Sequence, residues 1–176
     1  MYFSDEQVYG KDGNPQPFGT PEEILEAGQK MYGELSKETR EFFDFMMENE
    51  LLDVFGRKTK AVGGYMTYIP DYKSPFIFAN FNGTSDDVNV ITHECGHAFQ
   101  GYLASEDPIR EHADIGMETA EIHSMSNGVF TEPGILCFCR SQAEAYREMH
   151  LEDAVLFIPY GCMWMSSSTG SMMIRI

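Results

Sequence analysis

Apolar residues recur at helical spacing in five stretches of the chain and cluster in strand-like runs in two. Thr20 suits a helix N-cap, Pro21 the first helical position, and Glu23 completes a capping box. Ile24, Ala27, Met31 and Leu35 then follow on one face. Ser36 can cap a second helix, whose apolar face is Phe42, Phe43, Met46, Met47, Leu51 and Leu52 and whose expected stop is Gly56. The period then shortens. Residues 60–69, with the pair Gly63-Gly64, and residues 75–81 read as strands separated by a turn at Pro70-Asp71. Thr84 or Ser85 starts a third helix, in which Asp86 and Asp87 suit the positive helix start and Val88, Ile91, Cys95, Ala98 and Phe99 form the apolar face. Further helices are expected over 113–130 and 141–157, the last stopping at Pro159-Tyr160-Gly161. Residues 9–19 read as a turn-rich ordered loop, and residues 163–176, with Ser166-Ser167-Ser168-Thr169-Gly170-Ser171, as a loose tail. The pattern is mainly α with a small β-sheet.

With 176 residues, 43% of them apolar, the chain can bury one core, and a single domain is the natural expectation. A formal net charge of −16 argues against nucleic-acid and anionic-membrane partners, which call for basic patches. No apolar run reaches the roughly 18 residues of a spanning helix, and Met1 to Glu6 lacks the basic start of a signal peptide. A cytoplasmic location is therefore expected. The cysteines at 95, 137, 139 and 162 form no C-x-x-C pair. They are expected to be reduced, with Cys95 and Cys162 as small apolar fillers.

The informative residues are His93-Glu94-Cys95-Gly96-His97, an H-E-x-x-H motif on an expected helix. Residues four apart lie one turn apart on the same face, so both imidazoles can reach one zinc ion. Glu94, rotated about 100° around the helix, falls beside the metal, where it can take a proton from water. With five histidines and 18 glutamates, random placement would give the motif in about one such chain in 70. A catalytic zinc usually has a third protein ligand. Downstream candidates are His112, Asp114, Glu118, Glu121 and His123. Glu118 and Glu121 lie three apart on one helical face, so one could bind the metal while the other orients an imidazole.

Several segments resemble oligoendopeptidase F, in the thimet-oligopeptidase-like family of zinc metallopeptidases. They include Gly19-Thr-Pro-Glu-Glu, Glu41-Phe-Phe-Asp-Phe-Met, Gly64-Tyr-Met-Thr-Tyr-Ile-Pro-Asp-Tyr-Lys, Pro75-Phe-Ile-Phe-Ala-Asn-Phe-Asn-Gly-Thr, Thr92-His-Glu-Cys-Gly-His-Ala-Phe-Gln and Glu118-Thr-Ala-Glu-Ile-His-Ser-Met-Ser. The resemblance covers most of residues 1–162, a partial catalytic domain, since family members are longer at both ends. It implies a mostly helical zincin cleft with a small sheet beside the motif helix. It also implies His93, His97 and Glu121 as zinc ligands, Glu94 as the catalytic base, and a peptide as substrate. Glu118 is then left as the group that orients a ligand imidazole. The strand Phe76 to Phe81 is expected to offer an edge on which an extended peptide can pair, making Ala79, Asn80 and Phe81 candidate substrate-binding residues. The expected activity is zinc-dependent cleavage of short peptides. The competing reading is a zinc-binding relative that cleaves nothing. A purely structural zinc site is disfavoured, because no closing cluster of Cys or His completes four ligands.

Overall fold

The structure, a computed structural model, describes residues 13–173. Residues 1–12, with the first part of the turn-rich loop, and 174–176, the end of the expected tail, lie outside the described residues. Two compact units divide the described residues, one comprising residues 15–143 and the other built around residues 144–173.

In the first unit, helix α1 (Pro21–Leu35) begins at the capping box expected there: Glu23 N–H donates to Thr20 Oγ1, and Thr20 N–H to the Glu23 carboxylate. Ser36 and Thr39 form the same reciprocal pair at the start of α2 (Lys37–Glu48). Such caps contribute about 1 kcal/mol each. The apolar faces of α1 and α2 meet. Tyr32 stacks on Phe43 with ring centroids 4.9 Å apart, and both rings are fully buried.

Helix α2 ends eight residues before the expected stop at Gly56. Glu50 adopts a left-handed backbone (φ 54°), Glu50 N–H bonds to Met47 C=O, and Leu51 N–H to Met46 C=O. This pairing caps the last carbonyls and turns the chain away. Leu52, placed by its spacing on the helix, instead starts the two-residue strand β1 (Leu52–Asp53).

Strands β2 (Tyr65–Ile69) and β3 (Ser74–Phe78) form an antiparallel hairpin through a turn at Pro70–Tyr72, as expected. The sheet order is β1-β3-β2, with β1 parallel to β3. This corrects the edge assigned to Phe76–Phe81. β3 is the central strand, and the continuing chain is also paired: Ala79 N–H bonds to Asp53 C=O and Phe81 N–H to Val54 C=O. Of the two hairpin strands, β2 is the one at an edge of the sheet. Ile77 N–H points to Leu51 C=O on the β1 side. Its cross-strand neighbour Met66 is thus in a non-hydrogen-bonded pair, and the main-chain groups of Met66 and Tyr68 face away from β3.

A buried lysine ties this sheet to the loop before β2. Lys60 Nζ reaches Asp53 C=O (2.8 Å), Asp53 Oδ1 (3.1 Å), Phe55 C=O (3.1 Å) and Ala79 C=O. Arg57 clasps the same carboxylate with two bonds of 2.7 Å. The Arg57 bonds first, then Lys60, hold the Asp53 carboxyl down to about 2. A carboxyl lowered on folding stabilises above its unfolded range near 4 and loses that contribution as pH falls towards 2. Asp53→Asn is expected to cost about 1–2 kcal/mol at pH 7, discounted for the half-exposed Arg57. The difference from the parent should shrink in acid urea melts.

Helix α3 (Ser85–Ala104) carries the H-E-x-x-H motif. Thr84 occupies the N-cap, but the capping carboxylate is Asp87, which accepts from Asn82 N–H (3.0 Å) and Gly83 N–H (2.7 Å). Helix α4 (Met117–Phe130) starts four residues later than expected, with Gly116 at its N-cap, and a short α5 (Leu136–Cys139) follows. Val88, Ile91, Cys95 and Ala98 of α3 are fully buried, as are Phe42, Phe43 and Ile77.

In the second unit, α6 (Ala143–Met173) is a single helix that runs through Pro159. This corrects the stop at Pro159-Tyr160-Gly161, and the residues of the expected tail are helical up to Met173. Proline removes one backbone donor, but its own φ is compatible with a helix, so the chain can resume. Cys162 is exposed here and is not the apolar filler expected, whereas Cys95 is buried. No described helix is long and apolar enough to cross a membrane.

Candidate metal centre

The third turn of α3 directs His93 and His97 to one side, with ring centroids 4.9 Å apart and planes nearly perpendicular. Helix α4 crosses α3 at this level. The crossing is close because residue 96 is glycine. A Cβ there would lie 2.6 Å from Ser124 Cα, 2.9 Å from the His123 carbonyl oxygen and 3.0 Å from Asn127 Cβ. Asn127 Nδ2 fixes the register below, donating to Thr92 C=O and to Tyr32 Oη, each at 2.6 Å.

Glu121 of α4 therefore faces both imidazoles. His93 Nε2 lies 3.3 Å from Glu121 Oε2, and His97 Nε2 lies 3.7 Å from Glu121 Oε1. Donors held about 2.0–2.1 Å from a tetrahedral zinc are about 3.3 Å from one another, so two imidazole nitrogens and this carboxylate fit such an ion. Among the described residues, this is the one cluster of three such side chains with mutually close donor atoms. His93 and Glu121 are partly open to solvent (39% and 44%), whereas His97 is mostly covered (14%). One side of the cluster is thus open to solvent.

Burial lowers the pKa of His93, opposed by the charge of Glu121 and reinforced by His97. The lowered value favours the neutral imidazole that a metal requires. Glu94 points to the side of the cluster, towards the outer edge of β2, where its carboxylate accepts from Met66 N–H. Burial, together with the nearby Glu121 charge, raises the Glu94 pKa above the usual carboxylate range, and the Met66 bond opposes this.

A cavity of about 210 Å³ lies between His97, Met66 and Tyr68 on one side and Ala113, Asp114 and Ala120 on the other. Tyr68, Ala113 and Asp114 also line a larger cavity of about 630 Å³ that extends to Lys73, Asp107 and Glu111. The two follow the outer edge of β2.

Other residues singled out in the sequence lie elsewhere. Glu118 is exposed in the first turn of α4, and no hydrogen bond or ion pair joins it to either imidazole among the described residues. His112 pairs with Asp107 at 3.0 Å, and His123 is exposed. Ala79 is buried, its carbonyl taken by Lys60, and Asn80 Nδ2 bonds to Ala61 C=O and Gly63 C=O. Two features escaped the sequence reading, the Met66 N–H against Glu94 and the Asn127 anchor; Ser124 closes the Glu-x-x-Ser segment already singled out by resemblance, and here its Oγ lies 2.8 Å from Glu121 Oε2. The one sequence signal was glycine inside the motif, which marks a close helix crossing.

Comparison with known proteins bears on the same residues. The sequence model of peptidase family M3 matches residues 35–155. Among solved structures, the chain is similar to PZ peptidase A with an inhibitor (53% identity, TM-score 0.82, 85% of this chain and 27% of that one). It is also similar to a protein described as an oligoendopeptidase F from Bacillus anthracis str. Ames (50% identity, TM-score 0.86, 92% of this chain and 30% of that one). A peptidase from Chlamydophila abortus shares the fold at 22% identity and TM-score 0.65. The chain thus spans less than a third of the length of these relatives. The curated proteins give no match.

Proposed function

The chain belongs to peptidase family M3, and on that premise we propose that it carries the metal centre of a zinc endopeptidase acting on short peptides. The observation that carries this reading is the convergence of His93, His97 and Glu121 within reach of one ion. Zinc held by His93, His97 and Glu121 would supply Lewis-acid chemistry, polarising a carbonyl and making water more acidic.

The chain's own residues supply the rest. Glu94 takes the proton of the water and hands it to the leaving amine. Burial, which raises its pKa, makes the Glu94 carboxylate a stronger base than an ordinary glutamate. The edge of β2 supports an extended substrate, with the outward main-chain groups of Tyr68 as partners and the adjoining cavities as space for side chains. This replaces Ala79, Asn80 and Phe81 as the substrate-pairing residues.

Hydrolysis of a quenched fluorescent peptide by the zinc-loaded chain tests the reading. Activity should vanish with a chelator and return with added zinc. Hydrolysis indifferent to the chelator would sink it, and zinc binding without hydrolysis would favour the competing reading of an inactive relative.

Metal occupancy should also depend on pH. Protons displace metal from imidazole, so occupancy is expected to fall below about pH 6.5. The lowered pKa of His93 moves its share of that loss to lower pH. Occupancy unchanged at about pH 4, measured by metal analysis after desalting, would rule out imidazole ligands.

A further inference from the structure

We propose that Ser124 is a positioning residue for the third metal ligand: its buried hydroxyl holds the Glu121 carboxylate in the orientation that faces both imidazoles. The inference rests on the metal-centre reading above. Glu121 is half-exposed, and its side chain turns about three bonds, so by itself it would spread over many rotamers. Ser124 is the opposite case, with no part reached by solvent.

Its Oγ lies 2.8 Å from Glu121 Oε2 and 3.2 Å from the Glu121 carbonyl oxygen. A serine inside a helix often returns its proton to a carbonyl three or four residues back. One hydroxyl has one proton, and the shorter contact here is to the charged acceptor, which makes the stronger bond. The same Oε2 is the atom 3.3 Å from His93 Nε2. A carboxylate that swings away from Ser124 therefore loses its placement against the rings.

Ser124 itself cannot drift. Its Cα is the atom that a Cβ on residue 96 would meet at 2.6 Å. One turn on, Asn127 anchors α4 to the carbonyl of Thr92, the residue before His93. The backbone at Ser124 is thus tied to the helix that bears both histidines. The hydroxyl passes this fixed placement on to a side chain that solvent would otherwise leave free.

The test is a double-mutant cycle on zinc affinity in the full chain. Kd is read by competition with a chromophoric chelator for the parent, Ser124→Ala, Glu121→Ala and the double variant, alongside the melting temperature of each metal-free protein. Ser124→Ala is expected to weaken zinc binding about 10- to 100-fold and to melt close to the parent without metal. It should cost nothing further once Glu121 is alanine. Parental affinity in Ser124→Ala overturns the proposal. So does a loss of equal size with and without Glu121, which would mean that Ser124 acts through packing. Should the alanine variant not fold, Ser124→Cys keeps the volume with a weaker donor: a smaller loss in the same direction supports the proposal, and parental affinity overturns it. A parent chain that takes up no zinc overturns both this inference and the metal-centre reading, whereas zinc uptake with additive losses overturns this inference alone.

Discussion

Glu94→Gln is expected to lower kcat/KM for a quenched peptide by about 10²–10⁴-fold, the usual contribution of a positioned general base. Zinc affinity should change little. The two effects separate because Glu94 shares the helix with the ligands but not their direction. Its carboxylate lies towards β2, against Met66 N–H, while His93 and His97 converge on Glu121. Glutamine keeps the shape and loses the basic oxygen. A variant that hydrolyses peptide at the parental rate would remove Glu94 from the reaction. A variant that loses zinc along with activity would make it a ligand instead. The raised pKa of Glu94 adds a second readout. At saturating zinc, the acid limb of the parent's pH–rate profile should lie above the ordinary glutamate range near 4.3, and any acid limb left in the variant should follow the loss of metal alone.

Gly96→Ala should have the largest effect on folding. In an ordinary helix position this change gains about 1 kcal/mol of propensity. Gly33 of α1 is such a position: the nearest atom to an added Cβ is Arg40 Nε at 3.5 Å, on a flexible side chain. Gly33→Ala is therefore expected to be neutral or slightly stabilising. At Gly96 the new methyl would meet backbone, Ser124 Cα at 2.6 Å and His123 O at 2.9 Å, and backbone cannot rotate aside. Overpacking of this kind costs about 1–3 kcal/mol and at times more, which outweighs the propensity gain. The helices must separate, and Glu121 moves with α4. Zinc affinity should fall with stability, as seen in urea melts of the metal-free chain beside chelator competition. A Gly96→Ala chain as stable as the Gly33→Ala control would refute the close crossing.

Local chemistry was the part of the fold that could be read from the sequence. Thr20, Pro21 and Glu23 marked the start of α1, and the spacing of His93 and His97 put two imidazoles on one face. What failed depended on contacts between distant parts of the chain or on a single backbone angle. The helical period of α2 runs on into Leu51 and Leu52, and nothing in the residue type of Glu50 announces its left-handed conformation. Which strand of the hairpin lies at an edge is decided by β1, a partner of only two residues from far upstream. Pro159 signalled a stop that α6 did not make. For the third ligand, periodicity left Glu118 and Glu121 equal, and family resemblance singled out Glu121. In the structure it is Glu121 that faces the imidazoles, because the crossing at Gly96 sets the rotation of α4.

An uncovered strand normally invites templating by other chains, and proteins blunt such borders with charges. Here the outward amide of Met66 is occupied by a carboxylate from the neighbouring helix. A carboxylate at that amide would also oppose pairing with another strand. A second copy that tries to add its own β2 would have to displace an anion desolvated in the groove, whereas a single peptide can pair one step further along, at Tyr68. Glu94→Gln would then weaken that guard as well as chemistry, and concentrated preparations of the variant should aggregate more readily than the parent.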